Sequence, residues 1–214
     1  LGFARSGVLP IVPDVEAPRA ARSPVLARML QDGRDNILFV GRCAPNKRIE
    51  DLLFAFHFFQ RYVEPESRLL HVGSYSGLER YHALLRAKTV ELKLNDVHFL
   101  GSVRQDELNA CYARADVFLC MSEHEGFCIP LIEAMAHRVP VLAFAAGAVP
   151  ETLDGAGVLF REKRFDLVAE MMGRLAGDAA LRSAVLEKQD ARLARYKDLS
   201  LEASLREALS PLLS

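Results

Sequence analysis

Three cationic side chains lie close together in one segment of the sequence. The segment Gly41–Arg48 reads Gly-Arg-Cys-Ala-Pro-Asn-Lys-Arg and follows a short apolar run at 37–40. Arg42 offers a planar fork that can hold an oxyanion through two hydrogen bonds, whereas Lys47 offers a point charge. The segment lacks the glycine spacing of a dinucleotide-binding turn or a P-loop. It therefore predicts an unconventional anion site, and the alternative is a solvated basic loop.

A second segment, residues 125–136, contains two glutamates. Glu125 precedes Pro130, a residue typical of the first helical turn, and we expect Glu133 in the first turn of that helix. The amides before the helix would face the same edge as 41–48 and, with the helix dipole, would attract phosphate. Ionised carboxylates accept hydrogen bonds from vicinal hydroxyls such as those of ribose and hexoses. Each glutamate alone is explained by solvation or by a favourable helix charge. Together with the basic loop they predict a site for a sugar nucleotide.

Short apolar segments alternate with amphipathic segments from Asn36 onward, and this pattern positions both loops. The predicted strands are 37–40, 68–72, 97–100, 117–120, 139–144 and 158–160. The predicted helices are 49–63, 78–94, 106–115, 130–137, 150–153, 165–175, 179–196 and 201–213. This alternation indicates an α/β fold with a doubly wound, mostly parallel sheet. Such sheets bind ligands beyond the carboxyl ends of their strands.

The chain resembles the carboxyl-terminal, donor-binding domain of retaining glycosyltransferases of the GT-B fold, family 4. The family's mark is a glutamate, seven residues and a second glutamate, here within EGFCIPLIEAMA at 125–136. Further matching segments follow the family order: VGRCAPNK at 40–47, FLGSV at 99–103, ADVFL at 115–119 and PVLAFAAGAVPE at 140–151. The resemblance implies a Rossmann-like donor domain over 36–214, the C-terminal half of the GT-B fold. It implies that 1–35 is an interdomain linker with the end of a missing N-terminal domain.

The resemblance also implies which residues bind the sugar donor: Gly41, Arg42, Lys47, Val103, Glu125, Gly126, Phe127, Cys128, Ile129 and Glu133. Arg42 and Lys47 would neutralise the leaving diphosphate, and Glu125 would contact the transferred sugar. These three are the expected catalytic residues. Glu133 would hold the ribose, the backbone near Val103 would meet the base, and the amides of 126–129 would contact sugar and phosphate. No metal and no cofactor are expected.

Three positions depart from the family pattern. Cys128 stands where glycine is frequent, which we expect to be tolerated if φ is negative there. Arg138 stands where glycine commonly precedes the next strand, and it indicates a turn without positive φ. Ala148 replaces the second glycine of a Gly-Gly-x-Pro-Glu turn. Cys128 at a helix start, with His124 nearby, also suggests a weaker alternative, an activated thiol nucleophile.

The composition excludes several classes of function. The 214 residues include 27 Lys+Arg and 28 Asp+Glu, a net charge of −1, so nothing predicts binding to nucleic acid or to an anionic membrane. No apolar run approaches the roughly 18–20 residues that span a bilayer. The four cysteines lack Cys-x-x-Cys spacing and predict reduced, buried thiols in a cytoplasmic protein. Any peripheral attachment to the inner membrane face would come from the missing domain.

We therefore expect the donor-binding half of a retaining glycosyltransferase, which transfers a hexose-type sugar to an acceptor bound by the missing N-terminal domain of the same polypeptide. The chain begins at Leu1 rather than Met, and we expect a cut at an interdomain linker. Such a piece would bind a nucleotide sugar weakly and would not transfer sugar by itself. The alternatives are a non-catalytic nucleotide-binding or assembly module of the same fold and, with less support from the motifs, a nucleotide-sugar epimerase.

Overall fold

A computed structural model of the protein describes residues 11, 13 and 24–213, and these contain one sheet of parallel strands. The strands are β1 (Asp35–Val40), β2 (Ser67–Val72), β3 (Val97–Gly101), β4 (Val117–Cys120), β5 (Val141–Phe144) and β6 (Val158–Phe160). Their spatial order is β3-β2-β1-β4-β5-β6. The order reverses between β1 and β4, and in doubly wound sheets ligands bind at such a switch point, beyond the carboxyl ends of the strands. The predicted doubly wound α/β fold is confirmed.

The helices alternate with the strands and cover both faces of the sheet. They are α1 (Pro24–Met29), α2 (Ile49–Tyr62), α3 (Glu79–Glu91), α4 (Gln105–Ala113), α5 (Ile129–Ala136), α6 (Val149–Leu153), α7 (Phe165–Gly177), α8 (Ala179–Lys197) and α9 (Leu201–Leu213). Their ends differ from the predicted ones by a few residues. None of these described helices is long and apolar enough to cross a membrane.

Organised structure begins earlier than Asn36. Most of segment 1–35 lies outside the described residues, but α1 packs against α4, and Leu30, which follows it, is 2% exposed. Asn36 Nδ2 donates to the Leu30 carbonyl at 3.4 Å, which fixes this approach to β1. The sequence analysis missed this short helix although Leu26, Met29 and Leu30 have helical spacing, because prolines and mixed charges dominate the rest of 1–35.

The central strands form the core. Ile37, Leu38 and Phe39 are at most 2% exposed, since helices cover both faces of a doubly wound sheet and the strand can be apolar throughout. The neighbouring β2 is also buried along its length yet contains Arg68 and His71. The His71 ring stacks on Phe39, with centroids 5.7 Å apart.

The amino end of the sheet carries a network of paired charges. The Arg68 side chain is buried and donates to Asp32 Oδ2 at 2.7 Å and to Asp96 Oδ2 at 3.1 Å. The same guanidinium reaches Asn36 Oδ1 at 3.2 Å. Arg34 adds a second contact to Asp96 at 2.7 Å. These bonds join the start of β2 to the turns that precede β1 and β3.

The helices after β6 belong to the same packed unit. The buried side chain of Gln189, in α8, accepts a hydrogen bond from the Val141 amide and donates one to the Val139 carbonyl, both at 2.9 Å. Tyr196, also in α8, meets the Phe127 ring edge to face at 6.0 Å between centroids. Helix α8 therefore supports both β5 and the loop that leads into α5.

Candidate functional site

Two loops meet at the carboxyl edge of the sheet. The loop after β1 contains a short 3-10 turn at Pro45–Lys47. Asn46 joins it to the loop after β4, because its Nδ2 donates to the His124 carbonyl at 3.3 Å and its own carbonyl accepts from the Glu123 amide at 3.0 Å. Sequence reasoning missed Asn46, whose partners lie far along the chain. These bonds set the distance between the two predicted site segments.

Lys47 and Glu125 form the closest charge pair of this junction. Lys47 Nζ lies 2.7 Å from each carboxylate oxygen of Glu125, across 78 positions of sequence. The Glu125 side chain is 6% exposed and that of Lys47 is 20% exposed. Charge-assisted hydrogen bonds in so dry a setting hold both groups in one orientation. The structure thus brings together two of the three predicted catalytic residues.

Glycine is required where another loop presses against Glu125. Gly147 has φ of 55°, and a Cβ built there would lie 2.7 Å from the Glu125 carbonyl oxygen. The next amide, of Ala148, donates to that same oxygen at 3.1 Å. Ala148 itself has φ of −83°, so the second glycine of the family turn is dispensable. The loop after β5 therefore fixes the backbone that carries the predicted sugar-contacting carboxylate.

Two backbone expectations are wrong. Cys128 has φ of 64° and Arg138 has φ of 56°, both in the left-handed region. The turns keep the conformation that glycine adopts easily, although neither residue is glycine. Cys128 is the N-cap of α5 and is buried, and Arg138 donates to Asp190 at 2.6 Å. Each left-handed residue costs about 1 kcal/mol relative to glycine.

The first turn of α5 presents backbone donors to the same edge. Among the described residues, the amides of Gly126, Phe127, Cys128 and Ile129 donate no hydrogen bond to the protein. Gly126 is exposed, and a Cβ there would meet nothing within 4 Å. The carbonyl of Phe127 points the other way and accepts from Thr152 Oγ1 at 2.6 Å. Free amides at a helix start are suited to an anion.

Glu133 lies farther into α5 than expected. The helix begins at Ile129, so Glu133 falls in the second turn, and the first turn contains no acidic residue. Its Oε2 accepts the Tyr112 hydroxyl at 2.8 Å. Burial, followed by the charge of Glu133, raises the pKa of Tyr112 well above its ordinary value, so the phenol remains a donor. Sequence reasoning missed Tyr112, because no spacing links it to a partner 21 positions away.

Arg42 differs from the paired groups of the site. It directly follows Gly41 at the end of β1, is exposed, and donates to the Ser76 carbonyl at 3.3 Å through Nη2. Gly41 continues the sheet through its amide bond to the Val72 carbonyl at 2.9 Å. Val103 follows β3 on the same edge and is partly buried. The predicted site residues thus lie in loops of one sheet edge, except Ile129 and Glu133, which lie in α5.

The cysteines are all buried and unbridged, as predicted: Cys43, Cys111, Cys120 and Cys128. The hydrogen bond with Cys120, together with burial, raises the pKa of the Cys128 thiol. A protonated thiol is a poor nucleophile. This geometry contradicts the activated-thiol alternative. Burial likewise raises the pKa of Cys43 and of Cys111 to about 11.

The fold defines an α/β domain whose switch point carries cations, carboxylates and free amides on one sheet edge. Comparison with known proteins identifies the family. The family model of the glycosyl transferases group 1 matches residues 34–178. The chain belongs to that family. It is 39% identical over 116 residues to a GDP-mannose-dependent alpha-mannosyltransferase of Mycolicibacterium smegmatis, covering 54% of this chain and 27% of that protein.

Another relative is the GDP-mannose-dependent alpha-(1-6)-phosphatidylinositol monomannoside mannosyltransferase of Mycobacterium tuberculosis. It is 32% identical over 168 residues, which cover 74% of this chain and 43% of that protein. Among solved structures, Anabaena HepE in complex with UDP-glucose gives a TM-score of 0.75 at 22% identity, covering 88% of this chain and 53% of that one. The chain therefore spans less than half the length of these curated relatives.

Proposed function

We propose that this chain is the donor-binding half of a retaining glycosyltransferase, the C-terminal half of a GT-B enzyme, and that it binds a nucleotide-diphosphate sugar of the hexose type. The observation that carries the proposal is the Lys47–Glu125 pair beside the free amides at the start of α5. Cations, carboxylates and amides on one sheet edge complement the diphosphate, the sugar hydroxyls and the ribose of such a donor.

Lys47 can serve two groups at once. Its ammonium has three N–H donors, and the two oxygens of Glu125 use two of them. The third is left for a phosphate oxygen, while the same bonds hold the Glu125 carboxylate towards the sugar. Arg42, which is exposed, adds a second cation. As the sugar–phosphate bond breaks, these cations and the α5 dipole stabilise the charge that develops on the leaving diphosphate.

Glu133 is suited to the ribose. The Tyr112 hydroxyl occupies one of its oxygens and leaves the other to accept from a ribose hydroxyl. Val103 would lie by the base. By the family likeness, the acceptor attacks from the face that the nucleotide leaves, so the anomeric configuration is retained. The acceptor itself would be bound by an N-terminal domain that precedes this one in the same polypeptide, and residues before 36 would lead to it.

GDP-mannose is the first donor to test, because the two relatives described above are named as GDP-mannose-dependent mannosyltransferases. We propose a cytoplasmic enzyme whose transfer requires neither a metal ion nor a cofactor. Any contact with the inner membrane face would arise from the absent domain. A non-catalytic binding module of the same fold is the second candidate.

The test is calorimetric titration of the purified chain with GDP-mannose, UDP-glucose and their free nucleoside diphosphates, in the presence of a chelator. We expect one donor to bind. The Arg42→Ala variant should have an affinity for that donor about 30-fold lower, the equivalent of one hydrogen bond to a charged group. Arg61→Ala is the matched control, since Arg61 is also an exposed arginine but lies at the end of α2. Its affinity should equal that of the unchanged chain.

Transfer is measured separately. The 214-residue chain should neither hydrolyse the donor nor transfer its sugar. The polypeptide extended with its preceding domain should transfer the sugar. Absence of binding by every donor at millimolar concentration would exclude the donor site and favour the module. Turnover by the chain alone would contradict the division of labour between two domains.

A further inference from the structure

We propose that Cys120, Glu125 and Cys128 together form a binding site for a thiophilic divalent cation such as Zn²⁺. The two sulfur atoms and a carboxylate oxygen all lie within 4.8 Å of one another. Sulfur ligands of tetrahedral Zn²⁺ stand about 3.8 Å apart, the edge that follows from Zn–S bonds of about 2.3 Å. The three ligand atoms therefore need to approach by no more than about an ångström.

The fold assembles this group from both ends of one loop. Cys120 is the last residue of β4, and Cys128 caps α5. The left-handed backbone at Cys128 makes the turn into the helix, and its sulfur atom lies within 4.8 Å of that of Cys120. Glu125 lies between them in sequence, and all three residues are at most 8% exposed. Two of the ligands are thus fixed by the ends of β4 and α5, and the loop backbone at Glu125 is held by the Ala148 amide.

The donor set suits zinc in softness and charge. Two thiolates and one carboxylate supply three negative charges, and the cation supplies two positive ones. The remaining negative charge faces the Lys47 ammonium, 2.7 Å from Glu125. One carboxylate oxygen can bind the cation while the other stays on Lys47. Ser122 Oγ, 3.5 Å from Cys120 Sγ, or a water molecule can complete the tetrahedron.

Binding releases the two thiol protons to solvent, and no oxidation or reduction takes place. The spacing Cys-x7-Cys hid this group from sequence reasoning, which searched for Cys-x-x-Cys. The alternative is a pair of packed core thiols that never bind an ion. The buried Glu125 carboxylate beside the two sulfur atoms favours the cation site, because a purely apolar pocket would contain no charged ligand.

A bound cation should lower the affinity of the chain for the nucleotide sugar. Glu125 and the Cys128 amide belong to the proposed donor site, and both move when the ligands close on the ion. This expected loss of donor affinity rests on the proposed function, whereas cation binding itself does not. The transfer reaction needs no such ion, so the cation acts as an inhibitor of the site and takes no part in the chemistry.

The experiment starts from the metal-free chain kept reduced with a phosphine. Cd²⁺ is titrated while the ultraviolet thiolate-to-metal charge-transfer band is recorded, and Zn²⁺ affinity is measured by competition with a chromophoric chelator. We expect one ion per chain and two protons released per ion. Cys120→Ala and Cys128→Ala should each lower Zn²⁺ affinity by roughly a hundredfold or more. Cys111→Ala is the matched control, a buried thiol of α4 outside this group.

A measurement on the unchanged chain guards against variants that do not fold. X-ray absorption at the zinc edge should count two sulfur ligands with a light-atom remainder. Fewer than two sulfurs, or an unchanged affinity in Cys128→Ala, would overturn the site. Donor titrations with and without Zn²⁺ then separate the two proposals. Zinc binding without any nucleotide-sugar binding refutes the donor site alone, and zinc binding with unchanged donor affinity refutes the inhibition.

Discussion

The two ends of the sheet use charged side chains in opposite ways. At the amino end, the buried Arg68 guanidinium is surrounded by Asp32 and Asp96, and the bonds join separate turns. At the carboxyl end, Arg42 is exposed and has one bond, to the Ser76 carbonyl. The first arrangement satisfies its charges within the protein. The second leaves charge available for a ligand.

This difference separates stability from recognition. A buried ion whose partners are present stabilises its surroundings, and removing one partner leaves the others desolvated and unpaired. An exposed cation contributes little to folding but can contribute much to a bound anion. We therefore expect changes at the amino end to alter the free energy of unfolding, and changes in the ligand-facing groups of the carboxyl end to alter affinity.

The largest effect should follow Arg68→Met. The methionine keeps much of the buried aliphatic stem but removes the charge. Asp32 and Asp96 then lose the buried guanidinium and keep the more exposed Arg34 and, for Asp96, His98. We expect a loss of about 4 kcal/mol in urea unfolding. Arg34→Met is the control, because Arg34 is 39% exposed and should cost about 1 kcal/mol or less. The donor affinity of the folded Arg68→Met fraction should be unchanged. A drop in affinity would show that the amino end also contributes to recognition.

The second effect concerns pH at the carboxyl end. Burial lowers the pKa of His71 to about 4, and its Nε2 donates to the Gly41 carbonyl at 3.0 Å. The unfolded chain, with an ordinary pKa of about 6.5, takes up the proton first. Stability is therefore lost as pH falls from 6.5 to 4, by about 3 kcal/mol from this residue.

His71→Gln isolates that contribution, since glutamine keeps an N–H donor and does not titrate. The unfolding free energy of the unchanged chain, measured at several pH values, should fall relative to that of the variant by about 3 kcal/mol between pH 7 and 4. Parallel pH profiles would show that His71 is not responsible.

The third effect tests the loop that presses on Glu125. Gly147→Ala combines positive φ with a Cβ 2.7 Å from the Glu125 carbonyl, so we expect a loss of about 2 kcal/mol in stability. Donor affinity should fall as well, because the backbone of Glu125 must shift. Gly126→Ala is the matched control: a Cβ there meets nothing within 4 Å, and stability should change by about 0.5 kcal/mol or less. Equal losses in the two variants would contradict this close approach.

The fold followed from the sequence because its determinants are local. Continuous apolar runs such as 37–40 occur where both faces of a strand are covered, and the helices between them have their own periodicity. The prediction failed at α1, because the prolines and mixed charges of 1–35 outweighed the helical spacing of its few apolar residues. It also failed at Cys128 and Arg138, since left-handed backbone was expected to need glycine, whereas Cys128 is buried in that conformation and Arg138 adopts it while paired with Asp190.

For the candidate site, the sequence predicted a set of residues but not their contacts. The motif spacing selected Lys47 and Glu125, and the order of strands in a doubly wound sheet placed them at one edge. Their direct pairing could not be read from the sequence, because it depends on the Asn46 bonds between two loops 78 positions apart. The same applies to Cys120 and Cys128, which meet only when β4 and α5 are in place.

The smallest effect should follow Tyr112→Phe, which removes the hydroxyl that donates to Glu133 at 2.8 Å and also lies 3.4 Å from the Pro130 carbonyl. The lost hydrogen bond to a carboxylate should cost about 1 kcal/mol of stability. Because Glu133 then loses the group that orients it, donor affinity should fall about fivefold, measured by the same calorimetric titration. Tyr81→Phe is the matched control, since the Tyr81 hydroxyl also donates to a carboxylate, that of Glu50 in α2. Its stability loss should be similar and its donor affinity unchanged. If both variants lose affinity equally, the effect comes from general loosening, and Tyr112 does not position a ribose-binding group.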